Sequence, residues 1–174
     1  MRIHFIAIGG TAMHSLAIEM SKKGHNVSGS DDNIYEPAKS NLEKRGLFPK
    51  KLGWFSNEIS SKIDLIILGM HAKKNNEELK KAQSIGLKIK SYPEFISSIS
   101  SNKTRVVVAG SHGKSSISAM ILHIMNYNNI NIDYIIGAPI QGSKQTISLT
   151  DKNDFILIEG DEYLSSCLDL KSKF

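Results

Sequence analysis

The chain has 174 residues, 40% of them hydrophobic and 22% charged, which excludes a disordered polypeptide and leaves room for one large or two small α/β domains. Its 22 basic and 17 acidic side chains give a net charge of +5. The pairs Lys22-Lys23, Lys50-Lys51, Lys73-Lys74 and Lys80-Lys81 are scattered among acids, the pattern of a solvated surface and not of a nucleic-acid stripe.

No apolar run approaches the roughly 18 residues of a membrane span, and a single cysteine, Cys167, excludes an internal disulfide. Met1-Arg2-Ile3-His4-Phe5 enters a strand pattern directly, so a cytoplasmic protein without a signal peptide is expected. The β-branched run 3–8 predicts a first strand ending at Gly9-Gly10. Met13, Leu16, Ala17 and Met20 then recur at helical spacing over 11–23, with Gly24 as the stop. Residues 27–30 read as a strand, 37–45 as a helix stopped by Gly46, 65–68 as a buried strand and 77–84 as a helix ending at Gly86. A short strand at 87–90 leads to Pro93, placed to open another helix. This alternation predicts a parallel, doubly wound sheet.

The polar stretch 97–103 is expected to be a domain boundary. After it, 104–109 is a strand running into Gly110-Ser111-His112-Gly113-Lys114-Ser115-Ser116. The next helix carries Ile117, Met120, Ile121, Ile124 and Met125 on one face and stops at Asn128-Asn129. Residues 154–158 form a buried strand closing at Glu159, too near Phe174 to complete a second doubly wound sheet. The chain is therefore expected to be the front portion of a longer polypeptide.

Strand, glycine-bearing turn, Gly-Lys-Ser and helix together make the context of a phosphate-binding loop. Successive N–H groups and a helix N-terminus form a positive concavity for phosphate oxygens. Lys114 would neutralise the β and γ phosphates, and the Ser115 hydroxyl would hold Mg²⁺. Val108 stands where G-x-x-x-x-G-K-[ST] has its first glycine, and a glycine turn with a solvated lysine remains the alternative. Glu159 closes a strand at the end where ligands gather in open sheets. With Asp161 and Glu162 it makes an acidic patch able to hold Mg²⁺, or a solvated loop.

The first turn, Ala7-Ile8-Gly9-Gly10-Thr11-Ala12, sits where a dinucleotide fingerprint would, with alanine at both outer glycine positions. Asp31, ending the second strand, has the spacing of a ribose-binding acid. A diphosphate on the helix N-terminus and a purely structural turn both remain open. No Cys/His spacing suggests zinc. Among the histidines, His112 and His71 are placed for ligands, whereas His123 reads as structural and Cys167 as packing.

A nucleotide-type βα domain followed by GSHGKSS and an IEGDEY strand end resembles the Mur ligase family. The resemblance implies a Rossmann-like parallel-sheet domain over 1–100, followed by the start of a P-loop ATPase domain over 101–174. It implies an ATP- and Mg²⁺-dependent ligase that joins alanine or a cell-wall tripeptide to UDP-N-acetylmuramate through an acyl phosphate, in peptidoglycan synthesis or recycling. SDDNIYEP, EGDEYLSS and KSKF look more like the branch that recycles a whole tripeptide. By the same resemblance Lys114 and the amides of Gly110, Ser111, His112, Gly113, Ser115 and Ser116 would bind ATP, with Ser115 and Glu159 positioning Mg²⁺. Gly9, Gly10, Thr11, Ala12 and Met13 would hold the UDP diphosphate, with Ser30, Asp31 and His71 near the uridine. Family members carry further metal ligands and an amine-binding domain beyond this length, so the chain by itself is expected to be inactive. A nicotinamide-dependent oxidoreductase, which leaves Lys114 and Glu159 without a use, and a non-catalytic nucleotide-binding module are the alternatives of other classes.

Overall fold

Short β-branched runs build the first sheet of the computed structural model, which describes residues 1–139 and 145–160. The chain divides into two units, Met1–Phe95 and Ile96–Phe174. In the first, β1 (Arg2–Ile6), β2 (Asn26–Ser30), β3 (Leu65–Leu68) and β4 (Ile89–Ser91) form a parallel sheet in the order β2-β1-β3-β4. Parallel neighbours require crossovers, which α1 (Thr11–Lys22), α2 (Ala38–Lys44) and α3 (Glu77–Ser84) supply. The strand order reverses between β1 and β3, so a crevice opens beyond their carboxyl ends.

Helical spacing marks the inner face of α1 correctly: Met13, Leu16, Ala17 and Met20 are buried, as are Phe5, Ile8, Ile66 and Ile67. α3 occupies the expected residues because the Asn76 side chain accepts from Leu79 N at 3.0 Å while Glu77 and Glu78 face the positive end of the helix. β4 begins later than the expected 87 because Leu87 is drawn back to the helix, its N–H donating to Ala82 O at 3.0 Å.

α4 (Tyr92–Ile99) takes up the start of the polar stretch read as a linker. Serine is compatible with helix when its hydroxyl returns to the preceding turn, and buried Ser100 Oγ does so, donating to Ile96 O at 2.7 Å. Arg105 then caps the helix, donating to Ser100 O at 3.2 Å and Ser97 O at 3.0 Å.

The second unit contains β5 (Thr104–Val108), α5 (Lys114–Tyr127), β6 (Asp133–Ile135), β7 (Ile147–Ser148) and β8 (Phe155–Glu159). Its sheet runs β5-β8-β6-β7, parallel except for the antiparallel β6–β7 pair. The sequence pattern missed β6 and β7, because they are short and β6 opens on an aspartate. Of the residues it set on one face of α5, Ile121 and Met125 pack against the core and the other three do not. Leu122 and Ser118 are buried, whereas Ile117, Met120 and Ile124 are 47%, 63% and 58% exposed. The helix is apolar around much of its girth, so periodicity could not choose the face; Leu122 packs with Val108, Ile132, Ile136 and Leu157.

Asp133 is fully buried and accepts from Thr150 N and Thr150 Oγ1, each at 2.9 Å, and from Asn153 Nδ2 at 2.8 Å. Lys103 Nζ stands 3.0 Å from Asp133 Oδ2 and also donates to Thr150 O at 2.9 Å. Removing the cation leaves a buried carboxylate without its counter-charge. Lys103→Ala is therefore expected to destabilise the second unit by about 3 kcal/mol, measured as a fall in the urea midpoint at unchanged slope.

Candidate functional site

The phosphate loop follows from how β5 meets its neighbour. In-register pairing sets Val108 beside Glu159, and Gly160 N donates to Val108 O at 2.8 Å, so both strands end together. The chain then leaves β5 through exposed Gly110, Ser111 and His112 and enters α5 at Gly113. Gly113 has φ 80°, a left-handed conformation that costs glycine little and a side-chain-bearing residue more. Lys114 Nζ donates to Gly110 O at 2.6 Å, folding the lysine across its own loop. Ser116 is exposed on the first turn of α5.

Across the strand ends, Ser115 Oγ donates to Glu159 Oε1 at 2.7 Å, and Gly137 N donates to Glu159 Oε2 at 2.8 Å. A Cβ at Gly137 would lie 3.4 Å from Glu159 Oε1, at the limit of ordinary contact. Gly137 was missed by sequence reasoning; its only signal is that it follows a buried run at a strand end. Among the described residues no group of three or more His, Cys, Asp and Glu gathers for a metal. One carboxylate and one hydroxyl make a hard oxygen pair, which suits Mg²⁺ shared with phosphate and water and not an all-protein metal cage. Asp161, Glu162 and Cys167 lie outside the described residues.

The first turn is braced from β2. Ala7 and Ile8 both donate their N–H to Ser30 O at 3.0 Å, and Ala7 has φ 69°. Alanine in that region costs about 1 kcal/mol, so the turn adopts the geometry of a glycine fingerprint against the preference of its residue. Gly9 N donates to Asp31 Oδ2 at 2.7 Å. A Cβ on Gly9 would come within 2.9 Å of both Asp31 Oδ2 and Ile34 Cγ1, so close approach demands glycine. Gly10 caps α1, and its nearest neighbour to a Cβ is Met13 Cγ at 3.6 Å.

The structure thus brings Gly9, Gly10, Thr11, Ala12 and Asp31 together at one helix N-terminus, with Thr11 and Ala12 exposed. The Met13 side chain packs into the core, and Ser30 is 2% exposed, its hydroxyl donating to Glu78 Oε2. The two therefore offer a ligand backbone and not side chain. His71 is exposed in the turn after β3. His112 is exposed inside the phosphate loop, and His123 on the surface of α5.

Three titratable groups are shifted by burial and their partners, and two of them, His14 and Glu78, escaped the sequence. His14 Nδ1 donates to Gly10 O at 2.9 Å, and burial pushes its imidazole down, against the opposing effect of that bond. Burial pushes the Asp31 carboxyl up, opposed by the Gly9 and Asn33 amides and reinforced by Asp32. Glu78 is fully buried, accepts from Phe55 N at 2.7 Å and lies 3.6 Å from His4 Nε2. Burial acts to raise its carboxyl, but His4, the Phe55 amide and the Ser30 hydroxyl outweigh it and hold the group below the usual carboxylate value. Single polar letters within apolar surroundings carry no period, so only the fold reveals these partners.

Two strand-to-helix turns, each with an acid at a neighbouring strand end, define an α/β protein with two candidate ligand-binding edges. Residues 2–104 match the Mur ligase family, catalytic domain, and the chain belongs to that family. The UDP-N-acetylmuramate–L-alanine ligase of Prochlorococcus marinus is 35% identical over 171 residues, covering 92% of this chain and 33% of that protein. The UDP-N-acetylmuramate–L-alanyl-gamma-D-glutamyl-meso-2,6-diaminoheptandioate ligase of Escherichia coli is 30% identical over 175 residues, covering 100% and 38%. The crystal structure of the corresponding diaminopimelate ligase from Neisseria meningitides superposes with a TM-score of 0.81 at 27% identity, covering 93% of this chain and 53% of that one. The chain thus spans little more than a third of the length of these curated relatives.

A carboxyl held low in the folded state stabilises the fold above its unfolded value and loses that contribution as pH falls through the folded one. Lowering the pH from about 6 to about 3 is therefore expected to withdraw the Glu78 contribution from the first unit. Asp31, raised in the fold, contributes with the opposite sign. The check is the urea midpoint against pH for wild type and Glu78→Gln, with the wild-type curve falling more steeply in acid.

Proposed function

We propose that the chain supplies the UDP-sugar-binding and ATP-binding portions of a ligase that joins a cell-wall tripeptide to UDP-N-acetylmuramate in peptidoglycan recycling. The observation that supports this reading is the 2.7 Å contact between Ser115 and Glu159, which sets a hydroxyl and a carboxylate, a hard oxygen pair, beside a Gly-Lys-Ser loop. In the reaction the γ-phosphoryl group of ATP passes to the muramate carboxylate as its bond to the ADP oxygen breaks. The amine then attacks the acyl carbon, phosphate leaves and the nitrogen gives up a proton. The Gly110, Ser111, His112, Gly113, Ser115 and Ser116 amides and the Lys114 ammonium would hold the transferring group, so catalysis is chiefly positioning and charge stabilisation. Ser115 and Glu159 would hold Mg²⁺, which supplies charge neutralisation between the phosphates.

Gly10, Thr11, Ala12 and Met13 would present backbone N–H groups to the UDP diphosphate at the start of α1, Gly9 would let it approach the turn closely, and Ser30, Asp31 and His71 would stand toward the nucleoside. The two domains of this reading are 1–100 and 101–174, and the single cysteine fits a cytoplasmic setting. No helix among the described residues is long and apolar enough to cross a membrane. The 35% identity to an alanine ligase favours a second reading, in which alanine is the amine. Amide formation by the complete ligase with the tripeptide but not with alanine supports the first; the reverse supports the second.

Two substitutions test the sites separately. Lys114→Ala is expected to abolish ATP-dependent amide formation by the complete ligase, a loss of several kcal/mol of transition-state stabilisation, roughly 3 or more. UDP-N-acetylmuramate affinity should stay intact, and unchanged turnover would sink the phosphate-loop assignment. Gly10→Val should fold, since its Cβ meets nothing closer than 3.6 Å. Its side chain would stand over the turn, and calorimetry should show UDP-N-acetylmuramate affinity falling at least about tenfold. A folded variant with undiminished affinity would place the UDP site elsewhere.

A further inference from the structure

We infer that Glu78 is the positioning residue of the first turn: a buried carboxylate that, through Ser30, holds Ala7 in the left-handed conformation the nucleotide turn requires. The inference rests on the UDP-binding reading of that turn. Glu78 is 0% exposed and therefore touches no ligand. It stands in the first turn of α3, away from the turn in sequence, and reaches three other segments. Its Oε2 accepts from Ser30 Oγ at the end of β2, its Oε1 accepts from Phe55 N at 2.7 Å, and His4 Nε2 of β1 stands 3.6 Å away.

What these contacts hold is the support of the turn. The Ser30 carbonyl is the shared acceptor of Ala7 N and Ile8 N, at 3.0 Å each. One residue on, Asp31 O accepts from Gly53 N at 2.7 Å, while the Asp31 carboxylate accepts from Gly9 N at 2.7 Å. Glu78 therefore ties β2 on one side of Asp31 to the 53–55 segment on the other. Both acceptors of the turn's amides, Ser30 O and Asp31 Oδ2, hang on that tied segment. Alanine keeps φ 69° only where its surroundings over-determine it. A carboxylate suits the centre of this cluster because every neighbour but His4 Nε2 is a hydrogen-bond donor aimed at it. A glutamine that accepts from Phe55 N turns its amide N–H₂ to Ser30 Oγ, so the Ser30 bond is reversed and both contacts lose the strength that the carboxylate charge gives them.

The test measures UDP-N-acetylmuramate affinity by calorimetry on the 174-residue chain, together with hydrogen exchange at the Ala7 and Ile8 amides. Glu78→Gln is expected to weaken affinity about tenfold or more and to speed exchange at both amides. Ser30→Ala, which removes the hydroxyl and keeps the carboxylate, should do the same. Leu65→Val, a core substitution at the amino end of β3 whose register partner is Ile3 and whose side chain lies on the sheet face opposite His4, should bind as wild type at a comparable loss of melting temperature. Adding Ala7→Gly to Glu78→Gln should recover most of the affinity, because glycine takes positive φ unaided. A folded Glu78→Gln with wild-type affinity and exchange overturns the inference, as does an equal loss in Leu65→Val or no recovery with Ala7→Gly. If Glu78→Gln fails to fold, Ser30→Ala decides by the same readouts. Failure of the wild-type chain to bind UDP-N-acetylmuramate overturns the ligand reading instead, and exchange at Ala7 and Ile8 then decides the positioning role.

Discussion

Parallel strand pairing carries the carboxyl ends of adjacent strands to the same edge of a sheet, and both candidate sites depend on that constraint. A parallel neighbour is reached only through a crossover, so a strand that ends at the edge is followed by a helix that begins there. The unpaired N–H groups of that helix then face whatever lies beyond the edge. In the first unit this places the start of α1 beside Asp31 and the turn after β3. In the second it places the start of α5 beside Glu159, with Val108 and Glu159 in register as the last residues of their strands. Slipping β8 by one residue would turn the Glu159 side chain to the opposite face and break the Ser115 contact.

Among the described residues each unit buries one carboxylate completely, and the two serve different geometries. Glu78 and Asp133 both have 0% exposure and at least two hydrogen-bond donors. Against hydrophobic residues of the same shape, buried charges at best break even in stability. Their value lies in the segments they fix, which the strand ladders do not reach. Asp133 pins the 150–153 loop and Lys103 to the start of β6, at the amino end of the sheet and away from the phosphate loop. Glu78 pins the end of β2 and the 53–55 segment, directly behind the first turn. The same device is structural at one end of a sheet and bears on a site at the other.

Elements with a strong period or strong punctuation were legible in the sequence. Residues 77–84 form α3 as expected, bounded by Asn76 and Gly86, and α1 buries the residues its spacing singles out. Where apolar side chains surround a helix, as on α5, periodicity loses its power to choose a face. Where a strand is three residues and opens on aspartate, as in β6, no pattern exists to find. The site divides in the same way. Gly9, Asp31, Lys114, Ser115 and Glu159 stand out because turns and strand ends punctuate the text around them. His14, Glu78 and Gly137 do not, because each matters through a partner distant in the chain or through a backbone atom. Ser30 and Met13 show the converse: position in a motif says little about whether a side chain turns outward.

Val108 illustrates how a motif can depart from its pattern and keep its chemistry. The first glycine of the usual phosphate loop would fall there, yet Val108 is the last residue of β5, 8% exposed and packed against Leu122 and Leu157. Its carbonyl accepts from Gly160 N and its partner in register is Glu159. A β-branched residue favours that extended, half-enclosed position, and a glycine would weaken it. The positive φ values that the loop needs fall instead at Gly110, with φ 144°, and Gly113, with φ 80°. The first positive-φ residue of the loop is thus moved two positions along while Gly113 keeps its place in the motif, and the strand end gains a side chain that packs with Leu157 of the strand carrying Glu159. Substituting glycine at 108 would restore the written motif and loosen the pairing that brings Glu159 to Ser115.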